Sequence, residues 1–103
     1  MARKLEYSRP ARGDLEQMRA WLNQPGAGRR AKNRARRIVE TVKSLREAPV
    51  AWPIGDMPGT RECVVEGYTI VYSVDPDTGS NRTAGDVYVV RVFGPGQHRP
   101  GSR

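Results

Sequence analysis

Six cations stand between residues 29 and 37: Arg29, Arg30, Lys32, Arg34, Arg36 and Arg37, with no carboxylate among them. Guanidinium forks and ammonium groups repeated at helical spacing are what phosphate contact requires, and they read no sequence by themselves. A merely solvated face mixes both signs, as Glu40, Lys43 and Glu47 do further on. An unrelieved run repels itself and normally has a counter-charge to meet. These six are the candidate nucleic-acid-binding residues.

Two more arginines lie in apolar runs. Arg61 heads one, and Arg91 falls inside another. On strict strand alternation Arg91 shares a face with Val89 and Phe93, while Tyr88, Val90 and Val92 take the other. A charge within a central strand is costly unless exposed or paired. Arg91 is therefore either a site residue or half of an ion pair with Glu62 or Asp86. His98 is the single histidine and the natural acid–base group near neutral pH. It follows Gly94-Pro95-Gly96 in a polar tail, where a solvated histidine is the plainer reading. No serine–histidine–acid arrangement, phosphate-cradling glycine loop or hydrolytic carboxylate pair is present in the sequence. Cys63, the only cysteine, has no bridging partner, and no Cys/His cluster has metal-ligand spacing. Trp21 and Trp52 read as core and loop-packing residues, and the scarcity of other aromatics argues against a single-strand-binding sheet.

The charge balance sharpens the picture. The 103 residues carry a formal charge of +7. Residues 1–48 hold 13 Lys/Arg against 5 Asp/Glu, and residues 49–103 hold 5 against 6. All the excess lies in the first half, a field that steers the chain toward nucleic acid or an acidic protein surface. No apolar leader follows Lys4 and no run reaches membrane-spanning length, so the expected setting is the reducing cytosol, with no membrane partner.

The elements that must position these groups are legible from periodicity. Residues 5–8 alternate as a short strand. Ser8-Arg9-Pro10 is a helix start, with a capping hydroxyl and a proline in the first turn. Ala11, Leu15, Met18 and Leu22 form one helical face as far as Asn23, and Pro25-Gly26-Ala27-Gly28 breaks it. Ala31, Ala35, Ile38, Val42 and Leu45 make a second apolar stripe, stopped by Pro49. Arg30, Arg34 and Arg37 lie along one flank of that stripe; Arg29, Lys32, Arg36 and Lys43 lie along the other. Strands follow at 61–65, 68–74 and 86–93, the first two joined by Glu66-Gly67. Tyr68, Ile70, Tyr72 and Val74 share one face, and Thr69, Val71 and Ser73 the other. The last strand is nearly continuously apolar, as for a central strand buried on both faces. The expected fold is α+β: an N-terminal strand, an antiparallel helical hairpin, then a three-strand antiparallel meander. Residues 1–96 form one domain and residues 97–103 a polar tail.

That order resembles the RelE/ParE superfamily of toxins from type II toxin–antitoxin modules. The resemblance is carried by Ala11-x-x-Asp14-Leu15, Leu45-x-x-x-Pro49, Arg61-Glu62, Gly67-Tyr68-Thr69-Ile70-Val71-Tyr72 and Val90-Arg91-Val92-Phe93-Gly94. It implies a toxin held inactive by a cognate antitoxin in a hetero-oligomer. RelE-like members cut mRNA on the ribosome without metal or cofactor; ParE-like members are not nucleases and poison DNA gyrase. The leading expectation is ribosome-dependent endoribonuclease activity. Arg61 and Arg91 would steady the scissile phosphate, His98 or Tyr68 would carry the proton, and the basic helix would dock on rRNA. The alternative is gyrase inhibition. Thr69 replaces an arginine frequent in RelE-like nucleases, and Gly94 replaces a histidine. The Arg61-Glu62-Cys63-Val64-Val65 segment is similar to the ParE side.

Overall fold

The computed structural model describes residues 3–96. The expected tail at 97–103, with His98, lies outside the described residues. Strand β1 is Leu5–Tyr7 and helix α1 is Arg9–Leu22. Ser8 caps α1 as expected, its Oγ accepting from the Ala11 N–H at 3.0 Å, with a proline in the first turn. The helix ends at Asn23, whose N–H donates to the Arg19 carbonyl. Helix α2 is Gly28–Ser44, and it buries Ala35, Ile38 and Val42, followed by Leu45 just beyond its end.

Strands β2 (Arg61–Val65), β3 (Tyr68–Asp75) and β4 (Asp86–Phe93) form the antiparallel meander, in sheet order β1-β4-β3-β2. β1 joins the sheet in parallel with β4, setting Leu5 against Val87 and Tyr7 against Val89. The β2–β3 turn is made by Glu66 and Gly67 at φ 53° and 80°. Positive φ at both positions matches the twist of the strands they join.

The helical hairpin covers one face of the sheet. Tyr68, Ile70, Tyr72 and Val74 of β3 meet Ala11, Met18, Leu22, Ile38 and Val42 there. Tyr72 is fully buried and its hydroxyl donates to the Pro49 carbonyl at 2.7 Å, which fastens the chain after α2 to the sheet. Burial raises the Tyr72 phenol pKa well above its ordinary value and pushes the Cys63 thiol up to about 12. Cys63 is therefore an apolar filler of the core, protonated at neutral pH.

Three expectations are corrected. β4 is not buried on both faces: Tyr88 is 44% exposed and the helices lie on one side only. Nor does β4 alternate evenly. Val71 faces Arg91 but Tyr72 faces Val89, so Val90 is an extra residue in a β-bulge. Val87, Val89 and Val92 all enter the core, and Arg91 moves to the face opposite Val89. Trp21 is also not a core residue. It is 65% exposed, because it sits to the side of the Ala11–Met18–Leu22 stripe, whereas Trp52 packs against the core as expected.

Ile38 is the α2 side chain most enclosed by both layers. Ile38→Ala is expected to lower unfolding free energy by about 3 kcal/mol in urea denaturation, with the m-value unchanged.

Candidate functional site

Arg91 leaves the sheet on the open face and meets α1 at the β4 edge. Its Nε and Nη2 donate to the two carboxylate oxygens of Asp14 at 2.8 and 3.1 Å. The Val92 N–H donates to the same carboxylate at 2.8 Å. The guanidinium also lies 4.9 Å from the centre of the Phe93 ring. The Asp14 hydrogen bond raises the Arg91 pKa further above its already high value. The ion pair weighed from sequence therefore exists with a different partner. Glu62 lies in the same cross-strand row but accepts from the Asp56 N–H, and Asp86 accepts from the Lys4 N–H.

Arg61 is equally engaged. Its Nε and Nη2 fork onto Asp77 at 2.7 and 3.0 Å, and Nη1 donates to the Trp52 carbonyl at 2.6 Å. Its side chain is only 12% exposed. The hydrogen bond from Arg61 holds the Asp77 carboxyl below its ordinary range. Arg61 pairs across the sheet with Tyr72, on the core face, whereas Arg91 pairs with Val71, on the open face. Facing residues on neighbouring strands share a side. The two arginines expected to hold one phosphate thus leave opposite faces, each bound to its own carboxylate. Tyr68 is buried at the floor of a cleft of about 360 Å³ that Asp14, Trp21, Arg34 and Pro95 also line. His98 lies beyond the described residues, and Thr69 faces Phe93. No set of three metal-ligating His, Cys, Asp or Glu side chains converges among the described residues.

The basic helix is divided by the β2–β3 turn. Arg37 Nε donates to Glu66 Oε2 at 2.7 Å, and Arg34 Nη2 donates to the Glu66 backbone carbonyl at 3.0 Å. Arg34 Nε lies 3.7 Å from Glu66 Oε1. One flank of α2 is thereby tied to the sheet. On the other, Arg29, Lys32 and Arg36 stay exposed, as does Arg30.

A groove that the sequence did not reveal runs between α1 and α2. Near β1 its floor is Tyr7, Leu15, Val39 and Val42, and Arg12, Arg19 and Lys43 stand on its rim with a single acid, Glu16. Burial raises the Tyr7 phenol pKa, while Arg46, Arg19 and Arg12 oppose that shift. The helical stripes carry its residues, but only the spacing of two helices shows that a groove is left open between them.

These features fit the comparisons with known proteins. The model for the ParE toxin of the type II toxin–antitoxin system parDE matches residues 5–96, and the chain belongs to that family. It is a toxin of such a system. A solved chain from the chromosomal ParDE system of P. aeruginosa has the same fold, with a TM-score of 0.67 at 19% identity. The match covers 91% of this chain and 97% of that one. No curated protein matches the sequence.

Asp14→Ala removes acceptors from both Val92 and Arg91 and is expected to cost about 2 kcal/mol in denaturant unfolding. Asp14→Asn, which keeps an acceptor for Val92, is expected to cost about half as much. A second outcome concerns pH. Hydrogen bonding to Arg37 lowers the Glu66 carboxyl from its ordinary 4.5, so the folded state binds fewer protons than the unfolded chain. Its contribution is present above the unfolded value and is lost as pH falls through the folded one. The Tm is expected to fall below about pH 4.5, and Glu66→Gln is expected to start lower and lose less on acidification.

Proposed function

We propose that this toxin acts by binding and not by cutting, as a ParE-like, non-enzymatic inhibitor of DNA gyrase that a cognate antitoxin holds inactive. The observation that carries this reading is the separation of Arg61 and Arg91. Metal-free cleavage of RNA needs positioned cations around one pentavalent phosphate. Here the two candidates stand on opposite sides of the sheet, each neutralised by a carboxylate fork. The family match supports the ParE side of the superfamily, whose members the sequence resemblance associates with gyrase. The ribosome-dependent endoribonuclease reading rested on those arginines and on the basic helix, and two of the six helix cations are held by Glu66.

The antitoxin has a fitting surface in the hairpin groove. Its apolar floor suits an amphipathic segment, and its cationic rim suits one rich in Asp and Glu. Masking that groove sequesters the helices without requiring any chemistry.

Two assays on the purified toxin separate the readings. Supercoiling by gyrase is expected to stop at stoichiometric toxin, while mRNA on translating ribosomes stays uncut. Codon-phased cuts in mRNA with supercoiling untouched would sink the proposal. Arg61→Ala and Arg91→Ala are expected to reduce stability without abolishing gyrase inhibition in the fraction that stays folded.

A further inference from the structure

We propose that the tip of the helical hairpin, through Arg29, Arg30, Lys32 and Arg36, docks on the phosphate backbone of duplex DNA without reading its sequence. The inference goes beyond the gyrase reading and stands or falls independently of it.

Of the six cations in the run, Glu66 holds Arg34 and Arg37. Among the described residues, Arg29, Arg30 and Lys32 have no ion-pair or side-chain hydrogen-bond partner. Arg36 touches only the side-chain oxygen of Asn33, at the exposed surface. Arg29, Lys32 and Arg36 fall at i, i+3 and i+7, on one flank of α2. They span about 10 Å of helix axis at 1.5 Å per residue. That is about the rise of three phosphates along one strand of a duplex. The first turn of α2 holds no acid, and Ala27 offers no side-chain cap. Two arginines and a lysine are thus placed at the positive end of a helix dipole, an arrangement that an outside anion relieves.

The surroundings select among anions. The part of the hairpin groove that Lys32 and Arg36 line has no aromatic side chain, so unpaired bases have nothing to stack on. The exposed Trp21 lies in the cleft on the other flank, with Arg34 and Tyr68. Tyr7, Leu15 and Val42 belong to the β1 end of the groove, and of its floor only Val39 continues toward the tip, beside Ala35. A protein partner gains its affinity on that floor, whereas Arg29, Arg30, Lys32 and Arg36 offer the tip mainly positive charge, with Glu40 one turn beyond Arg36 as the acid nearest them on the helix. Charge alone at regular spacing is the complement of a duplex backbone.

The test is fluorescence anisotropy of a mixed-sequence DNA duplex of about twenty base pairs, with the purified full chain and no gyrase present. Four phosphate contacts give a slope of about −3.6 in log K against log salt, so affinity is expected to drop about 150-fold between 50 and 200 mM NaCl. The Arg29→Ala/Arg30→Ala/Lys32→Ala/Arg36→Ala variant is expected to lose this binding at every salt concentration. A variant with Arg29, Arg30 and Arg36 replaced by lysine is expected to keep it, since only charge is needed. A control lacking the side-chain charges of Lys4, Arg9, Arg46 and Arg82 loses the same net charge from other exposed positions and is expected to bind within a few-fold of wild type. Circular dichroism confirms that each variant is folded. Equal loss in the tip variant and the control would reduce the effect to net charge and overturn the proposal. So would tighter binding at the tip by an RNA duplex, a single strand or poly-glutamate. Because gyrase is absent, failure here leaves the supercoiling result standing, and failure there leaves this one.

Discussion

β4 is eight residues long, and β1 pairs with only three of them. The rest of that edge would present bare backbone groups beside the core, and the structure depends on how they are satisfied. The chain turns directly from β1 into α1 and uses the helix itself as the cover. Ser8 donates its backbone N–H to the Val89 carbonyl and its hydroxyl to the Val90 carbonyl. Two turns on, Asp14 accepts from the Val92 N–H. The bulge at Val90 lets this happen while Val89 and Val92 both remain in the core. The same bulge turns Arg91 outward, where its fork closes on the carboxylate already fixed at the edge. Position and pairing of Arg91 are thus consequences of sheet closure.

How much of this the sequence disclosed follows from the range of each interaction. Both helices, their stripes and the cap at Ser8 depend on spacings of three or four residues and could be read directly. So could the β3 alternation, in which Tyr68, Ile70, Tyr72 and Val74 are all buried, with Val71 buried as well on the other face. The bulge could not, because alternation counts in twos and Val90 adds one with no residue type to mark it. The Arg91–Asp14 pair joins positions 77 apart. Any acid in the first half of the chain was an equal candidate, and the two proposed were simply those nearest in the strand pattern. Trp21 departs from the core for a smaller reason. Its neighbour Leu22 lies on the buried stripe, and a single helical step carries Trp21 off it. The parallel pairing of β1 depends on the whole path of the hairpin.

The charge run shows a different limit. Its helical phase was legible, including the two flanks, but not which flank the fold consumes. Glu66 decides that from the tip of a hairpin whose turn forces positive φ on it. Holding Arg34 and Arg37 ties α2 to the sheet and leaves the opposite flank uncompensated. A glutamate at a left-handed position is locally unfavourable, and the two arginines offset that cost across the layers. The asymmetry of α2 is therefore set by one turn residue in the sheet.

The same logic bears on chemistry. Metal-free cleavage of RNA needs cations free to act around a common point. An arginine forked onto a carboxylate has two of its five N–H donors engaged and its charge compensated, so it offers a phosphate less than an unpaired arginine does. Arg61 and Arg91 are both in that state, with a sheet between them. The cations that remain unengaged are instead at the hairpin tip and along the open groove between α1 and α2. Such a distribution favours contact over an extended partner and disfavours concentrated charge on a single reacting group. The paired arginines are thus physically separated from the unpaired ones, and it is on this separation that the proposal of action by binding rests.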